Sequence, residues 1–192
     1  ICIADTTFNS NEGVVYVYNS DGIYLREISN PDVSLGYFGY SLAINGTSLA
    51  VGKLNGDEVY IFDLTDGSTT LTIADPNTTP SDFFGRSIAY DGTYVIASSI
   101  GYDGGSLDQG RVYQFNATTG SLLHTYENPA PDVNDNFGEV LRLNSNYLVI
   151  GSPQASNIFS FYRGDFKQGV KYTKSQIVKY GPNLYKAIQN ID

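Results

Sequence analysis

A Phe-Gly pair occurs three times in this 192-residue chain, at Phe38-Gly39, Phe84-Gly85 and Phe137-Gly138. The three phenylalanines are 46 and 53 residues apart (84 − 38 and 137 − 84). Each is followed, 13 residues later, by a small apolar pair: Val51-Gly52, Ala97-Ser98 and Ile150-Gly151. A repeat of this length is a single supersecondary unit that cannot bury its own apolar face, so it stacks on copies of itself.

Each repeat reads as four short β-strands. In the clearest copy we predict strands at 37–44, 48–52, 58–64 and 69–74, with Asn45-Gly46 as the tight turn after the first. The third strand alternates aromatic with other residues and has four copies: Val15-Tyr16-Val17-Tyr18, Val59-Tyr60-Ile61-Phe62, Val112-Tyr113-Gln114-Phe115 and Ile158-Phe159-Ser160-Phe161. The chain therefore starts partway through a repeat, and residues 1–162 are predicted to be all-β.

The spacing from Phe-Gly to the small pair, together with the Val-Tyr strand, resembles the FG-GAP repeat family, best known from the integrin α-chain propeller. The resemblance implies that residues 1–162 form four-stranded units of a β-propeller, either incomplete or part of a longer chain. Propellers leave only short, protected sheet edges.

The chain departs from the calcium-binding type of this repeat. The integrin units carry an Asp-x-Asp-x-Asp-Gly loop between their first two strands. The corresponding segments here are too short to surround a cation that takes six or more oxygens. They are Asn45-Gly46-Thr47, Asp91-Gly92-Thr93 and Asn144-Ser145-Asn146. We therefore expect the calcium-free variety, with no metal and no cofactor.

Charge is distributed unevenly along the chain. Residues 1–162 contain 5 Lys/Arg and 18 Asp/Glu, a net of −13, whereas residues 163–192 contain 6 and 2, a net of +4. An acidic body argues against nucleic-acid binding, which needs a basic face to neutralise phosphates. The sequence has no apolar run of membrane-spanning length, so we expect no membrane insertion. The predicted location is extracellular or at a virion surface.

The repeat pattern ends after Tyr162, and residues 163–192 are predicted to form a separate small β module with strands at 170–172, 177–180 and 183–188. The segment resembles a β module of phage tail and fibre proteins and is similar to chitin-binding modules of glycosidases. That resemblance implies glycan contacts for Phe166, Tyr172 and Tyr185. The alternative is that these aromatic residues form the small core of the module.

One connection is longer than its counterparts. Fifteen residues separate Ala97 from Val112, whereas the equivalent positions in the neighbouring repeats are eight apart (51 to 59 and 150 to 158). Long loops on one face of a repeat array usually form its binding face. We therefore predict ligand contacts for Tyr102, Asp103 and Asp108. Calcium binding by the two aspartates is an alternative, although their spacing matches no known loop.

Few residues suit catalysis. His124 is the single histidine and Cys2 the single cysteine, and Cys2 has no activating neighbour in the sequence. Most carboxylates fall in turns, where they ordinarily cap the backbone. We therefore expect no enzyme activity.

The sequence as a whole predicts a display or attachment protein, such as an exterior component of a bacteriophage virion (a tail or fibre protein). Two alternatives remain: a secreted or surface-anchored bacterial adhesion protein of the FG-GAP type, and a non-catalytic part of a polysaccharide-degrading enzyme. The expected partners are other virion or surface-assembly subunits, a cell-surface glycan, and further copies of the chain in a homo-oligomer.

Overall fold

A computed structural model describes residues 1–32, 34–77, 82–155, 157–165, 176–180 and 183–186. In these residues the protein is nearly all-β, as predicted, and four successive sheets follow the order of the chain. The first sheet contains β1 (Cys2–Asp5), β2 (Val14–Tyr18) and β3 (Tyr24–Ser29), and the second β4 (Phe38–Asn45), β5 (Ser48–Lys53), β6 (Glu58–Asp63) and β7 (Thr69–Ala74). The third contains β8 (Phe84–Tyr90), β9 (Tyr94–Ser99), β10 (Arg111–Asn116) and β11 (Leu122–Glu127). The fourth contains β12 (Val140–Leu143), β13 (Tyr147–Ser152), β14 (Asn157–Asp165), β15 (Gln176–Tyr180) and β16 (Asn183–Lys186).

We call these sheets the first to fourth units. The second and third units are antiparallel meanders in which each strand pairs with its neighbours in sequence. The four strands of the second unit lie within one residue of the positions predicted for them. The one helix assigned in the described residues, α1 (Phe8–Asn11), is a single irregular turn in which Asn9 and Ser10 have left-handed backbone angles.

The first unit corresponds to the last three strands of a complete unit. Ile3 pairs with Tyr16 in β2, just as Val51 pairs with Tyr60 in β6. The prediction that 15–18 is a fourth copy of the third strand is therefore confirmed.

The cores lie between neighbouring units and not within any one of them. One cluster joins the first and second units: Val15, Val17, Ile28, Phe38, Leu49, Val51, Tyr60 and Phe62. Equivalent clusters join the second unit to the third and the third to the fourth. Each sheet is buried by its neighbour. The alternating apolar residues of each strand therefore form a core only when the units are stacked. We call the three contacts the first, second and third seams.

The Phe-Gly rings occupy equivalent places in the three seams. Phe38, Phe84 and Phe137 are each 0% exposed. Each ring packs edge-on against aromatic residues of the third strand of its own unit, at centroid distances of 5.8–5.9 Å for Phe38, 5.9–6.1 Å for Phe84 and 5.4 Å for Phe137. The three phenylalanines are therefore buried in equivalent positions, in agreement with their repeated spacing in the sequence.

The glycine of each pair allows the first strand to approach the preceding unit. Gly138 has φ +102°, and a Cβ on it would lie 2.7 Å from both Ser98 and Val112 of the third unit. Gly39 has φ +90° and would meet Ala4 of the first unit at 2.7 Å. Only glycine combines this backbone conformation with so close a contact.

The residue after each Phe-Gly contacts its counterpart in the next unit. The Arg86 guanidinium lies 4.7 Å from the centroid of the Tyr40 ring, and its Nη2 is 2.6 Å from Oε1 of Glu139. A single row of side chains thus links the second, third and fourth units along their first-strand edges.

The C-terminal strands extend the fourth sheet. β15 pairs in parallel with β14, and β16 pairs antiparallel with β15. The predicted strands at 177–180 and 183–188 correspond to β15 and β16, whereas the predicted strand at 170–172 lies outside the described residues. The two described strands therefore join the fourth unit through its sheet, and the separate small module remains a prediction.

Candidate functional site

Three links connect the units: residues 30–37, 75–83 and 128–136, of which residues 33 and 78–81 lie outside the described part of the chain. The described residues of each link are hydrogen-bonded to loops or strand ends of both units that it joins. In the first link, Gly36 donates its N–H to the carbonyl of Asn11 and accepts the N–H of Asn55. In the third, Asn134 donates to the Leu107 carbonyl, and the Asp135 carbonyl accepts the Ser152 hydroxyl at 2.6 Å. We call the surface formed by these links and the loops between second and third strands the loop edge.

The long loop, residues 101–110, is closed by its own hydrogen bonds. The Asp103 carboxylate accepts the N–H of Asp108 at 2.7 Å, and Gln109 Oε1 accepts those of Gly105 and Ser106 at 3.1 Å. Gly110 donates its N–H to the Tyr102 carbonyl. These bonds are internal to the loop and restrict its conformation.

Tyr102 stacks on a cation at the base of this loop. The guanidinium carbon of Arg111 lies 3.6 Å from the centroid of the Tyr102 ring, which is cation–π geometry. Arg111 is held from its other side by Glu127, whose Oε1 is 2.7 Å from Nη2. The loop next to this pair forms a shallow, open depression lined by Asp103, Gly104, Gly105, Ser106 and Leu107. The structure therefore brings Tyr102, Asp103 and Asp108 together in one loop.

The first seam is closed on the loop edge by a buried cation. Lys53 is 0% exposed, and its Nζ lies 2.6 Å from both carboxylate oxygens of Asp32 and 2.6 Å from the Ser34 hydroxyl. Burial would raise the pKa of Asp32, but hydrogen bonds from Lys53 and Ser34 outweigh it and hold the pKa below its ordinary value.

The third seam is closed by a neutral donor and one carboxylate. Asn128 is buried, and its side-chain amide donates to the Gln109 carbonyl at 3.4 Å and to Asp135 Oδ2 at 2.8 Å. The same carboxylate accepts the N–H of Asp132 at 2.8 Å. The Asn128 amide and the Asp135 carboxylate are therefore both hydrogen-bonded within this group.

The second seam differs because it concentrates carboxylates. Asp75 stands where the other links have Asn30 and Asn128, and its carboxylate accepts the Asn77 N–H at 2.8 Å and the Ser99 hydroxyl at 3.4 Å. Burial, and then the charges of Asp82 and Asp57, raise the pKa of Asp75 to about 6, although these hydrogen bonds oppose the shift.

The two neighbouring carboxyls are shifted in the same direction. Burial raises the pKa of Asp82, with further contributions from Asp103 and Asp57, while Asn77 and Arg111 lower it. Burial also raises the pKa of Asp57, and the charge of Glu58 adds to the shift, while the Phe84 N–H lowers it.

Two polar atoms of the second seam lack partners within the described part of the chain. They are Asp57 Oδ1 and the hydroxyl of Tyr113, which is itself only 2% exposed. Burial is the largest cause that raises the pKa of Tyr113 to about 12. The charges of Asp75 and Asp82 also raise it, whereas Arg111 lowers it.

The described residues contain no group of three or more His, Cys, Asp or Glu side chains placed to hold a metal ion. Cys2 lies in β1 and His124 in β11, in the first and third units. Burial raises the pKa of the Cys2 thiol, which is opposite to the shift of an activated nucleophile. Over the same residues, no helix is long and apolar enough to cross a membrane.

The remaining predicted site residues lie toward the C-terminus. Tyr185 is in β16, while Phe166 and Tyr172 lie outside the described residues. Sequence reasoning missed Asp57, Asp75 and the other polar residues of the seams. The signal was present in the alignment of Asn30-Pro31, Asp75-Pro76 and Asn128-Pro129, because an acidic residue in the middle link replaces an amide in the other two.

Comparison with known families adds an independent observation. Residues 68–115 match the model of the FG-GAP repeat, a stretch that runs from β7 to β10 and includes Phe84-Gly85 and the link between the second and third units. No curated protein matches the chain. FG-GAP repeats typically occur in extracellular or surface proteins of the adhesion type. The match and the stacked antiparallel sheets together support β-propeller repeats over this part of the chain.

Proposed function

We propose that the chain is an extracellular attachment protein that binds its target through the loop edge, without catalysis. The observation that carries the proposal is the loop at residues 101–110, which lies on the loop edge and is closed by its own hydrogen bonds. A preformed loop loses little conformational entropy on binding, which favours affinity.

A glycan suits the exposed chemistry of this loop. Tyr102 offers an aromatic ring beside Arg111, and the adjacent depression is lined by backbone groups and by the side chains of Asp103, Ser106 and Leu107. Aromatic rings pack on the apolar faces of sugars, while carboxylates and hydroxyls hydrogen-bond their hydroxyl groups. The net of −13 over residues 1–162 makes an anionic polysaccharide a poorer partner than a neutral one.

Binding of the purified chain to immobilised bacterial surface polysaccharides tests this proposal. We expect Tyr102→Ala to weaken binding by roughly tenfold, because it removes the aromatic face and releases Arg111. Tyr40→Ala is the matched control, since Tyr40 also stacks on an arginine but at the first-strand edge. Equal effects of the two substitutions, or none from Tyr102→Ala, would contradict binding at the loop edge.

The finer form of the proposal is an exterior component of a bacteriophage virion, such as a tail or fibre protein. It rests on the resemblance of residues 163–192 to phage fibre modules, in which Phe166, Tyr172 and Tyr185 would touch a glycan. In this role the partners are other virion subunits and further copies of the chain, and the location is the virion surface. Antibody labelling of native particles would detect the chain at their exterior.

The FG-GAP match favours a second candidate, a secreted or surface-anchored bacterial adhesion protein, because these repeats are typical of adhesion-type proteins. The two candidates share the binding edge and differ in what carries it. Labelling of whole bacterial cells in the absence of phage supports the adhesin, while labelling confined to particles supports the virion component.

A further inference from the structure

The second seam differs from the first and third at one position, which can be compared directly by aligning the repeats. In the first and third seams an asparagine follows the last strand of the unit, and its side-chain amide donates to the backbone. Asn30 donates to the carbonyls of Glu12 at 3.4 Å and Ser34 at 2.7 Å, and Asn128 donates to that of Gln109 at 3.4 Å. Asp75 holds this position in the second seam, and an ionised carboxylate cannot donate.

A second substitution affects the same seam. Gly13 precedes β2 and Gly110 precedes β10, and both glycines have positive φ. These strands are equivalent to the third strand of a complete unit. Asp57 takes this place in the second unit, with φ +53°. The second seam thus gains two carboxylates where the other seams have an amide and a glycine.

Among the described residues, the charged and titratable groups that act on Asp75 are Asp57 in the β5–β6 connection, Asp82 in the link and Tyr113 in β10. Further groups act on these neighbours: Glu58 at the start of β6 on Asp57, and Asp103 in the long loop and Arg111 in β10 on Asp82. Arg111 is the one cation in this set and is already paired with Glu127. The carboxylates therefore exceed the positive charge available to them.

One unpartnered atom also points toward a missing proton. Asp57 Oδ1 is a buried acceptor with no hydrogen-bond donor within the described residues, and the charge of Asp57 acts on Asp75. A protonated Asp75 would present an O–H donor in the position where Asn30 and Asn128 present N–H donors. It would also reduce the repulsion among Asp57, Asp75 and Asp82.

We propose that the second seam is a pH-responsive joint, closed when a proton is bound at Asp75 and loosened when that proton is lost. The joint would act on the long loop, because Gly101 donates its N–H to the Asp82 carbonyl and Arg111 is shared between Tyr102 and the acidic group. Acidification would thereby fix the position of the loop relative to the second unit.

The direction of the effect follows from the two states of Asp75. Its pKa is about 6 in the folded protein and near 3.8 in the unfolded chain, so the folded protein binds the proton more tightly. The resulting stabilisation is complete below about pH 4 and is lost as the pH rises through about 6. Above about pH 7, Asp75 contributes none of it.

Thermal unfolding of the full chain and of Asp75→Asn between pH 4.5 and 7.5 tests the joint. The variant carries the permanent donor of the other seams, so its Tm relative to wild type should rise by about 2–6 °C across this range. Asp21→Asn, an identical charge change in an exposed turn, should show a difference that does not vary with pH. A Tm difference for Asp75→Asn that is equally independent of pH would overturn the proposal.

Amide hydrogen exchange locates the effect. After correction for intrinsic rates, protection of Asp75 and Gly101 should fall severalfold between pH 5 and pH 7.5, because their N–H groups bond the carbonyls of Asp57 and Asp82, two members of the acidic group of the second seam. The Asn134 amide, which bonds the Leu107 carbonyl in the third seam, should not change. A uniform change at all three amides would mean that the seam has no special response.

Discussion

The first and second seams have equivalent apolar cores, but the polar residues at their loop edges differ in charge. In both, a fully buried Phe packs edge-on against two aromatic residues of the third strand. In the first seam, the ammonium of Lys53 then neutralises Asp32. In the second, Ser99 ends the corresponding strand, and Asp57, Asp75 and Asp82 lie together. The cation beside this group, Arg111, acts on Asp82 and is already paired with Glu127. The repeat therefore fixes packing, while the polar edge is free to vary.

This difference indicates where function can evolve in a stack of units. The apolar positions of each seam are constrained by two sheets at once, so a change in one affects both. Polar residues at the loop edge need only hydrogen-bond or neutralise one another, and the three seams use different residues to do so. The second seam, which concentrates carboxylates, lies beside the long loop.

The largest effect should come from the shared apolar part. Phe84→Ala should lower the free energy of unfolding by about 3–5 kcal/mol, because it removes a ring that is completely buried in the second seam. Urea-induced unfolding would measure it. Phe83→Ala is a matched control, since the preceding ring is 37% exposed, and it should cost less than about 1 kcal/mol. Similar costs for the two would mean that the repeat positions are assigned wrongly.

The next effect concerns the cation of the first seam. Lys53→Met keeps an apolar stem but removes the charge, and should cost about 1–3 kcal/mol at pH 7. The figure is below that of a fully buried pair because the Asp32 side chain is 44% exposed and can rehydrate. Because Lys53 lowers the pKa of Asp32, this stabilisation is present above about pH 4 and is lost as the pH falls further.

The two seams should therefore respond to acid in opposite directions, which urea titrations at several pH values can resolve. A cost of Lys53→Met that stays constant down to pH 2.5 would show that Lys53 stabilises by packing alone.

A smaller gain is expected where the second seam departs from the repeat. Asp57→Gly should stabilise the protein by about 0.5–1 kcal/mol, because it relieves a left-handed backbone and removes a buried oxygen without a partner. Asp108 has φ +50° in the long loop, so Asp108→Gly measures the free-energy gain from relieving the backbone conformation. The difference between the two substitutions then gives the gain from removing the buried oxygen of Asp57. Destabilisation by Asp57→Gly would instead mean that the hydrogen bond from Phe84 to this carboxylate dominates.

The smallest effect should be that of metal removal. The turns between first and second strands lack a carboxylate cage, so EDTA should leave the Tm of the chain unchanged. Differential scanning calorimetry with and without chelator measures this directly. A decrease of several degrees would identify Asp103, Asp108 or the residues around Asp5 as cation ligands.

The apolar architecture could be predicted from the sequence because it is repeated. The spacing around Phe38, Phe84 and Phe137 identified equivalent rings, and Asn45-Gly46 marked the first turn of the second unit. Every copy obeys the same packing rule, so each supports the assignment of the others. The long loop was also visible, as a departure from equal spacing.

The polar edge could not be predicted in the same way. A carboxylate such as Asp75 has an ordinary role in a turn. Aligning the links shows that it replaces an amide, but only the fold shows that those amides are buried and that Asp75 lies near Asp57 and Asp82. The Tyr102–Arg111 stack was likewise hidden, because it depends on how the long loop folds back on the start of β10. Contacts between residues with no shared period leave no trace in a single sequence.

A crystal structure of the chain would show whether the units are equivalent at their Phe-Gly pairs. We expect the rings of Phe38, Phe84 and Phe137 to be buried between neighbouring sheets, edge-on to the third-strand aromatics at centroid distances of 5.4–6.1 Å. A solvent-exposed ring at any of the three positions, or rings in unrelated places within their sheets, would contradict this equivalence.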